Sequence, residues 1–131
     1  MPSSQRAENL FRGVGCALCH APSLSTGSTS LTTGQTNVQV NAFSDFLVHH
    51  IGTGLSEVVT QGSAGPDEFR TAPLWGLGQR IFFLHDGHAS DLSEAIRQHF
   101  SQGSEANAVV QRYHSLTERQ KQDILNFLRS L

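Results

Sequence analysis

The chain is poor in sulfur, in charge and in long apolar runs. Its 131 residues hold one methionine, two cysteines, one tryptophan and one tyrosine, and Asp, Glu, Lys and Arg together make up 15%. Nine Lys and Arg against eleven Asp and Glu leave a net charge of −2. A basic nucleic-acid footprint is therefore missing, and so is a polybasic patch for a membrane surface. The longest apolar stretches, such as Ile81-Phe82-Phe83-Leu84, fall far short of the ~20 residues that a membrane-spanning helix needs. Met1-Pro2-Ser3-Ser4-Gln5-Arg6 contains no apolar h-region, so no signal peptide is read in these residues. Convincing strand alternation is also lacking throughout.

What is there suffices for one core. Leu, Ile, Val and Phe account for 34 of the 131 residues, above the roughly 20% floor below which chains stay disordered. The length suits one domain, residues 1–131. Two segments strain that picture. Ser, Thr and Gly fill 11 of the 18 positions from 21 to 38, and residues 60–73 show little apolar periodicity. A small domain carries such stretches when they serve a site or when a large bound group supplies part of the core.

Both cysteines fall in one five-residue run, Cys16-Ala17-Leu18-Cys19-His20. This is the signature of c-type haem attachment. The two-residue spacer sets the sulfurs about 5 Å apart, one helical turn, where they can add to the two vinyl groups of a porphyrin. His20 follows directly and can turn its imidazole to the iron as proximal ligand. Two other readings stand beside it. A thiol redox pair calls for a strand and βαβ pattern before it, and a zinc site calls for about four ligands, which Cys16, Cys19 and two of the seven histidines could supply. Covalent haem attachment takes place outside the cytoplasm, so the expected compartment is the periplasm.

The remaining pattern is helical. Ala7, Leu10, Phe11 and Val14 form a stripe that would deliver Cys16–His20 at its end, with Ser3 or Ser4 as cap. Asn41–Ile51 reads as a short apolar helix stopped by Gly52 and Gly54. Asp91-Leu92-Ser93-Glu94 reads as a capping box, with Leu92, Ala95, Ile96, His99 and Phe100 on one face and Gly103 closing the helix. Ser104 can cap a helix carrying Ala106, Val109, Val110 and Tyr113, and Thr117-Glu118-Arg119-Gln120 is a second capping box ahead of Ile124, Leu125, Leu128 and Leu131. The expected class is all-α: a cytochrome c-like domain of about five helices around one covalently attached haem, with long irregular loops. The first and last helices should pack together through their apolar stripes.

A second axial ligand must come from elsewhere. The one methionine is Met1, on a terminus expected to fray, so the thioether ligation common in small cytochromes is set aside. The candidates are His49, His50, His85, His88, His99 and His114. His99 lies on the apolar stripe of its own helix, which turns its imidazole inward; His50, sharing a face with Phe43, Phe46 and Leu47, is its rival. His85 and His88 flank the turn Asp86-Gly87, and His114 sits on a polar helix edge.

Several motifs occur together and in order: Cys16–His20, Phe43–His49, Phe69-Arg70-Thr71-Ala72-Pro73-Leu74-Trp75-Gly76-Leu77-Gly78, Phe83–Gly87, Leu92–Ile96 and Ile124–Leu131. Over residues 7–131 the set resembles the C-terminal haem domain of the bacterial di-haem oxidoreductases, relatives of the di-haem cytochrome c peroxidases and MauG. The resemblance implies His20/His99 ligation, in agreement with the stripe argument. It also places the Phe69–Gly78 segment beside the haem, with Arg70 and Arg80 as partners for the propionates and Trp75 against the macrocycle edge. Two departures stand out. This chain has His50 and Ile51 where the family usually shows Asp and Met, and it holds a single Cys-x-x-Cys-His, so it corresponds to one haem domain, as a fragment or on its own.

The leading functional expectation is electron transfer through one covalent haem c with two histidine ligands, exchanging electrons with another haem domain or redox protein. Two imidazoles saturate the iron and set a lower potential than a histidine–methionine pair. The alternative is a haem enzyme with peroxidase-like activity at an open or opening distal site, with His49, His50 or His85 as acid or base. A ligand-binding or sensory haem module is the third.

Overall fold

A computed structural model describes residues 3–28, 31 and 33–131, without the side chains of Ser3 and Thr33. Met1, whose thioether was set aside above, lies outside the described residues.

Two helices bracket the chain and build most of the core. α1 spans Ser3–Val14 and takes in both serines expected to cap it. Its Ala7, Phe11 and Val14 are buried. α4 spans Glu118–Arg129 and opens on a complete capping box: Thr117 Oγ1 accepts from the Gln120 N–H, and Gln120 Oε1 accepts from the Thr117 N–H. Its Ile124, Phe127 and Leu128 pack on α1, as the two apolar stripes require. Phe11 and Ile124 have almost no exposed surface, and each such side chain stabilises the fold by roughly 1.5–3 kcal/mol.

Between them, α2 (Leu92–Gln98) and α3 (Asn107–His114) are shorter. Asp91 caps α2 by accepting from the Glu94 N–H at 3.0 Å, while the Glu94 side chain turns to Arg97 and Gln98 instead of back to the cap. α2 stops at Gln98 with His99 as its C-cap, four residues before Gly103 (φ 85°), where the helix was expected to close. Ser104 is not the α3 cap, a place taken by Ala106, but its hydroxyl accepts from the Ala106 N–H and donates to the His99 carbonyl at 2.6 Å.

The expectation of an all-α domain of five helices is corrected by two antiparallel sheets. β1 (Leu24–Ser25) pairs with β2 (Gln39–Val40), and β3 (Val48–His50) pairs with β4 (Glu68–Arg70) in the register Val48↔Arg70, His49↔Phe69, His50↔Glu68. Among the described residues there are four α-helices, three one-turn 3₁₀ segments and these two sheets, a mixed α and β fold. The helix expected over Asn41–Ile51 is the one that fails. Phe43 and Phe46 adopt φ 51° and 58°, a left-handed backbone that cannot propagate a right-handed helix. Local side chains fix this shape. Fully buried Ser44 donates to the Thr71 carbonyl at 2.8 Å and accepts from the Phe46 N–H at 2.9 Å, and Asp45 Oδ1 accepts from the Leu47 N–H.

Among the described residues between β1 and β2, Thr26 Oγ1 accepts from the Val38 N–H at 2.8 Å and donates to the Gln35 carbonyl, next to a 3₁₀ turn at Thr33–Gln35. Residues 76–79 lie against the end of α4. The Gly76 N–H donates to the Leu131 carbonyl at 2.8 Å, and a Cβ at Gly78 would meet the Arg129 carbonyl oxygen at 2.1 Å, so only glycine fits there. No helix of the described residues is long and apolar enough to cross a membrane.

Candidate functional site

The two cysteines sit at the end of α1. Gly15, at φ 109°, turns the chain out of the helix into a 3₁₀ turn, Cys16–Leu18. A Cβ on Gly15 would lie 2.7 Å from Arg112 Nη2, and that guanidinium reaches over from α3 to donate through Nε to the Val14 carbonyl at 2.7 Å. α3 thereby clamps the end of α1 and sets where the cysteines lie.

Both cysteines are half-buried free thiols. Burial pushes the Cys16 thiol up to about 11 despite the nearby Arg112 charge. Burial also raises Cys19, helped by the carboxylates of Asp45 and Glu105. A thiol redox pair needs a stabilised thiolate, and these two are held as thiols. The zinc reading fares no better. Among the described residues, Cys19, Asp45 and His49 form a cluster of potential ligands within 4.8 Å of one another, but Cys16 is not part of it. Both ring nitrogens of His49 are also already taken, Nε2–H donating to Asp45 Oδ2 and Nδ1–H to Glu105 Oε2, each at 2.8 Å.

His20 Nδ1–H donates to the Phe43 carbonyl at 3.0 Å, which leaves the Nε2 lone pair available. Burial, with a smaller contribution from nearby His99, lowers the pKa of this imidazole to about 4 and so holds it neutral. His99 repeats the arrangement. Its Nδ1–H donates to the Ala95 carbonyl at 2.7 Å, one turn back in α2, and burial lowers its pKa as well. Neither Nε2 has a hydrogen-bond partner among the described residues. Ligating imidazoles characteristically use one ring nitrogen on a carbonyl, which fixes the tautomer and aims the other at the iron.

The remaining histidines are committed elsewhere or face solvent. His50, the rival to His99, is exposed and pairs with Asp67 and Glu68 on the outer face of β3. His85 Nε2 lies 2.8 Å from Glu57 Oε1 and its ring stacks on Phe69, and His88 pairs with Asp86 in the same turn. His114 is exposed at the end of α3. Arg70 is exposed on β4, Arg80 is exposed in the loop after Gln79, and neither has an ion-pair partner among the described residues. Trp75 is half-exposed. No hydrogen bond or ring contact joins Arg70 or Trp75 to Cys16–His20 or to His99 among the described residues.

Sequence reasoning missed three contributors: the Phe43 carbonyl, the Ser44 pin beneath it, and the pairing of His49 with Asp45 and Glu105. The Asp45–His49 spacing of four residues was visible in the sequence, but Glu105 lies 56 residues further along.

Two protonated thiols and two neutral imidazoles, each with its Nε2 available, are a donor set suited to a haem. This chemistry defines the class as haem-binding. Residues 3–131 match the family described as "Di-haem oxidoreductase, putative peroxidase", and the chain belongs to that family. Membership implies haem binding and a haem-related, peroxidase-like oxidoreductase function. Comparison with curated proteins and with solved structures gives no match.

Proposed function

We propose that this chain is a c-type haem domain that passes electrons through a single haem, joined to Cys16 and Cys19 and ligated by His20 and His99. The observation that carries the reading is the matched pair of imidazoles, each locked by its Nδ1–H to a backbone carbonyl, Phe43 for His20 and Ala95 for His99. Bound there, the haem supplies a reversible one-electron couple. The chain's own residues hold both imidazoles neutral and oriented, and His20 and His99, both ligating the iron, would leave no open position for peroxide. Arg70 pairs with a propionate and Trp75 packs at the macrocycle edge in this reading; the support is Arg70's lack of an ion-pair partner among the described residues and Trp75's exposed ring. The family is di-haem while this chain carries one Cys-x-x-Cys-His, so the partner is a second haem domain or another redox protein. The compartment is the periplasm, where c-type haem is attached.

The family description supports a second reading, a peroxidase-like enzyme whose distal side opens. The optical spectrum of the oxidised and reduced protein separates the two. Low-spin bands in both states fit electron transfer, and a high-spin oxidised form fits the enzyme.

A further inference from the structure

The haem reading gives no task to one polar network among the described residues, the imidazole of His49 held between two carboxylates. Carboxylates only accept, so both ring nitrogens of His49 carry protons and the ring is an imidazolium. Its two partners belong to different parts of the chain. The Asp45 N–H donates to the Cys19 carbonyl at 2.8 Å, next to His20, and Asp45 lies two residues from the carbonyl that accepts from His20. Glu105 follows Ser104, whose hydroxyl donates to the His99 carbonyl at 2.6 Å. The Glu105 N–H donates to the His50 carbonyl, and Glu105 Oε1 accepts from the His50 N–H at 3.0 Å, so the carboxylate is fixed from both sides.

We propose that His49 is a positioning residue for the axial pair: by bridging Asp45 beside His20 and Glu105 behind His99, it fixes the separation of the two imidazoles and keeps both within reach of one iron. The inference rests on the haem reading above. Other bonds join the same two segments, including the Thr53 N–H to the Gln102 carbonyl and the Ser101 hydroxyl to the Ile51 carbonyl. These lie further along the chain, beyond β3. Among the described residues His49 is the side chain that ties the Asp45 turn itself to the segment after His99. A charge-assisted bridge with both ends anchored resists being pulled apart more than a neutral bond does.

The test compares the haem-loaded protein with its His49→Ala, His49→Arg and His50→Ala variants, by spectra of the oxidised and reduced forms with and without carbon monoxide. His49→Ala should keep covalent haem on a denaturing gel, lose part of its low-spin bands and bind carbon monoxide in a fraction of the reduced molecules. His49→Arg, whose guanidinium can donate to both carboxylates, should restore the unsubstituted spectrum. His50→Ala, on the opposite face of the hairpin, should leave it unchanged. A His49→Ala protein as low-spin and as closed to carbon monoxide as the unsubstituted one overturns the inference and leaves the haem reading standing. If the unsubstituted protein lacks covalent haem or is high-spin, the haem reading falls and the inference with it. Where His49→Ala does not fold, Glu105→Gln keeps an acceptor for the His50 N–H and removes the one facing His49. It should show the same partial loss, and an unchanged spectrum overturns the inference.

Discussion

His20 Nδ1–H donates to the Phe43 carbonyl across 3.0 Å, and Phe43 presents that carbonyl from a left-handed backbone with φ 51°. A bulky residue there costs on the order of 1–3 kcal/mol. Two features offset it. The Phe43 ring packs at 5.7 Å from Phe127 and 6.2 Å from Phe11, tying the loop to the α1–α4 core, and buried Ser44 pins the next peptide to Thr71. The orientation of the His20 imidazole is thus set by the same contacts that fold the protein.

Ser44→Ala removes a buried hydroxyl and leaves the Thr71 carbonyl without it. The expected cost is about 1–3 kcal/mol in urea unfolding. Because the Phe43 carbonyl that orients His20 also loses its support, the low-spin spectrum of the haem-loaded protein should give way to a high-spin one at a higher pH on acidification. Unchanged stability and an unchanged acid transition would show that the loop is held by other means.

The four helices were legible in the sequence because their apolar residues recur at helical spacing and two of the four start on recognisable caps, Asp91 and Thr117. The segment over 41–51 was misread for a physical reason. Phe43, Phe46, Leu47 and His50 also fall at helical spacing, but bonds to Thr71 and pairing with Glu68–Arg70 decide its shape, and these partners are remote in sequence. Strands of two or three residues leave no alternation to read. The cysteines and His20 were legible as a motif, and the inward face of His99 as a stripe. The carbonyl partner of His20 was not, because it depends on a positive φ at phenylalanine.

Covalent attachment gives the next prediction. Haem should travel with the polypeptide on a denaturing gel stained for haem, and it should resist acid-acetone extraction. Cys16→Ser and Cys19→Ser should each weaken that retention, and the double variant should abolish it. Clean extraction from the unsubstituted protein would contradict thioether linkage.

The His49 bridge predicts a pH dependence. Burial opposes the charge on this imidazole, but its bonds to Glu105 and Asp45 outweigh burial and raise its pKa above 6.5. A raised folded-state pKa means that the unfolded chain gives up its proton first. The stabilisation from the bridge is therefore fully present below about pH 6.5 and is lost as pH rises through the folded-state value. Urea midpoints measured between pH 5.5 and 8.5 should fall more for the unsubstituted protein than for His49→Gln, which has no such proton to lose. Parallel curves would exclude the charged bridge.

His99→Ala tests the central claim most directly. If His20 and His99 both ligate the iron, as proposed, the unsubstituted haem protein should be low-spin when oxidised and when reduced. Removing His99 should leave the iron five-coordinate and high-spin, open to cyanide when oxidised and to carbon monoxide when reduced, while covalent haem remains on the gel. His50→Ala should stay low-spin. A His99→Ala protein that stays low-spin while His50→Ala turns high-spin would place the ligand on the β3 hairpin and contradict the account.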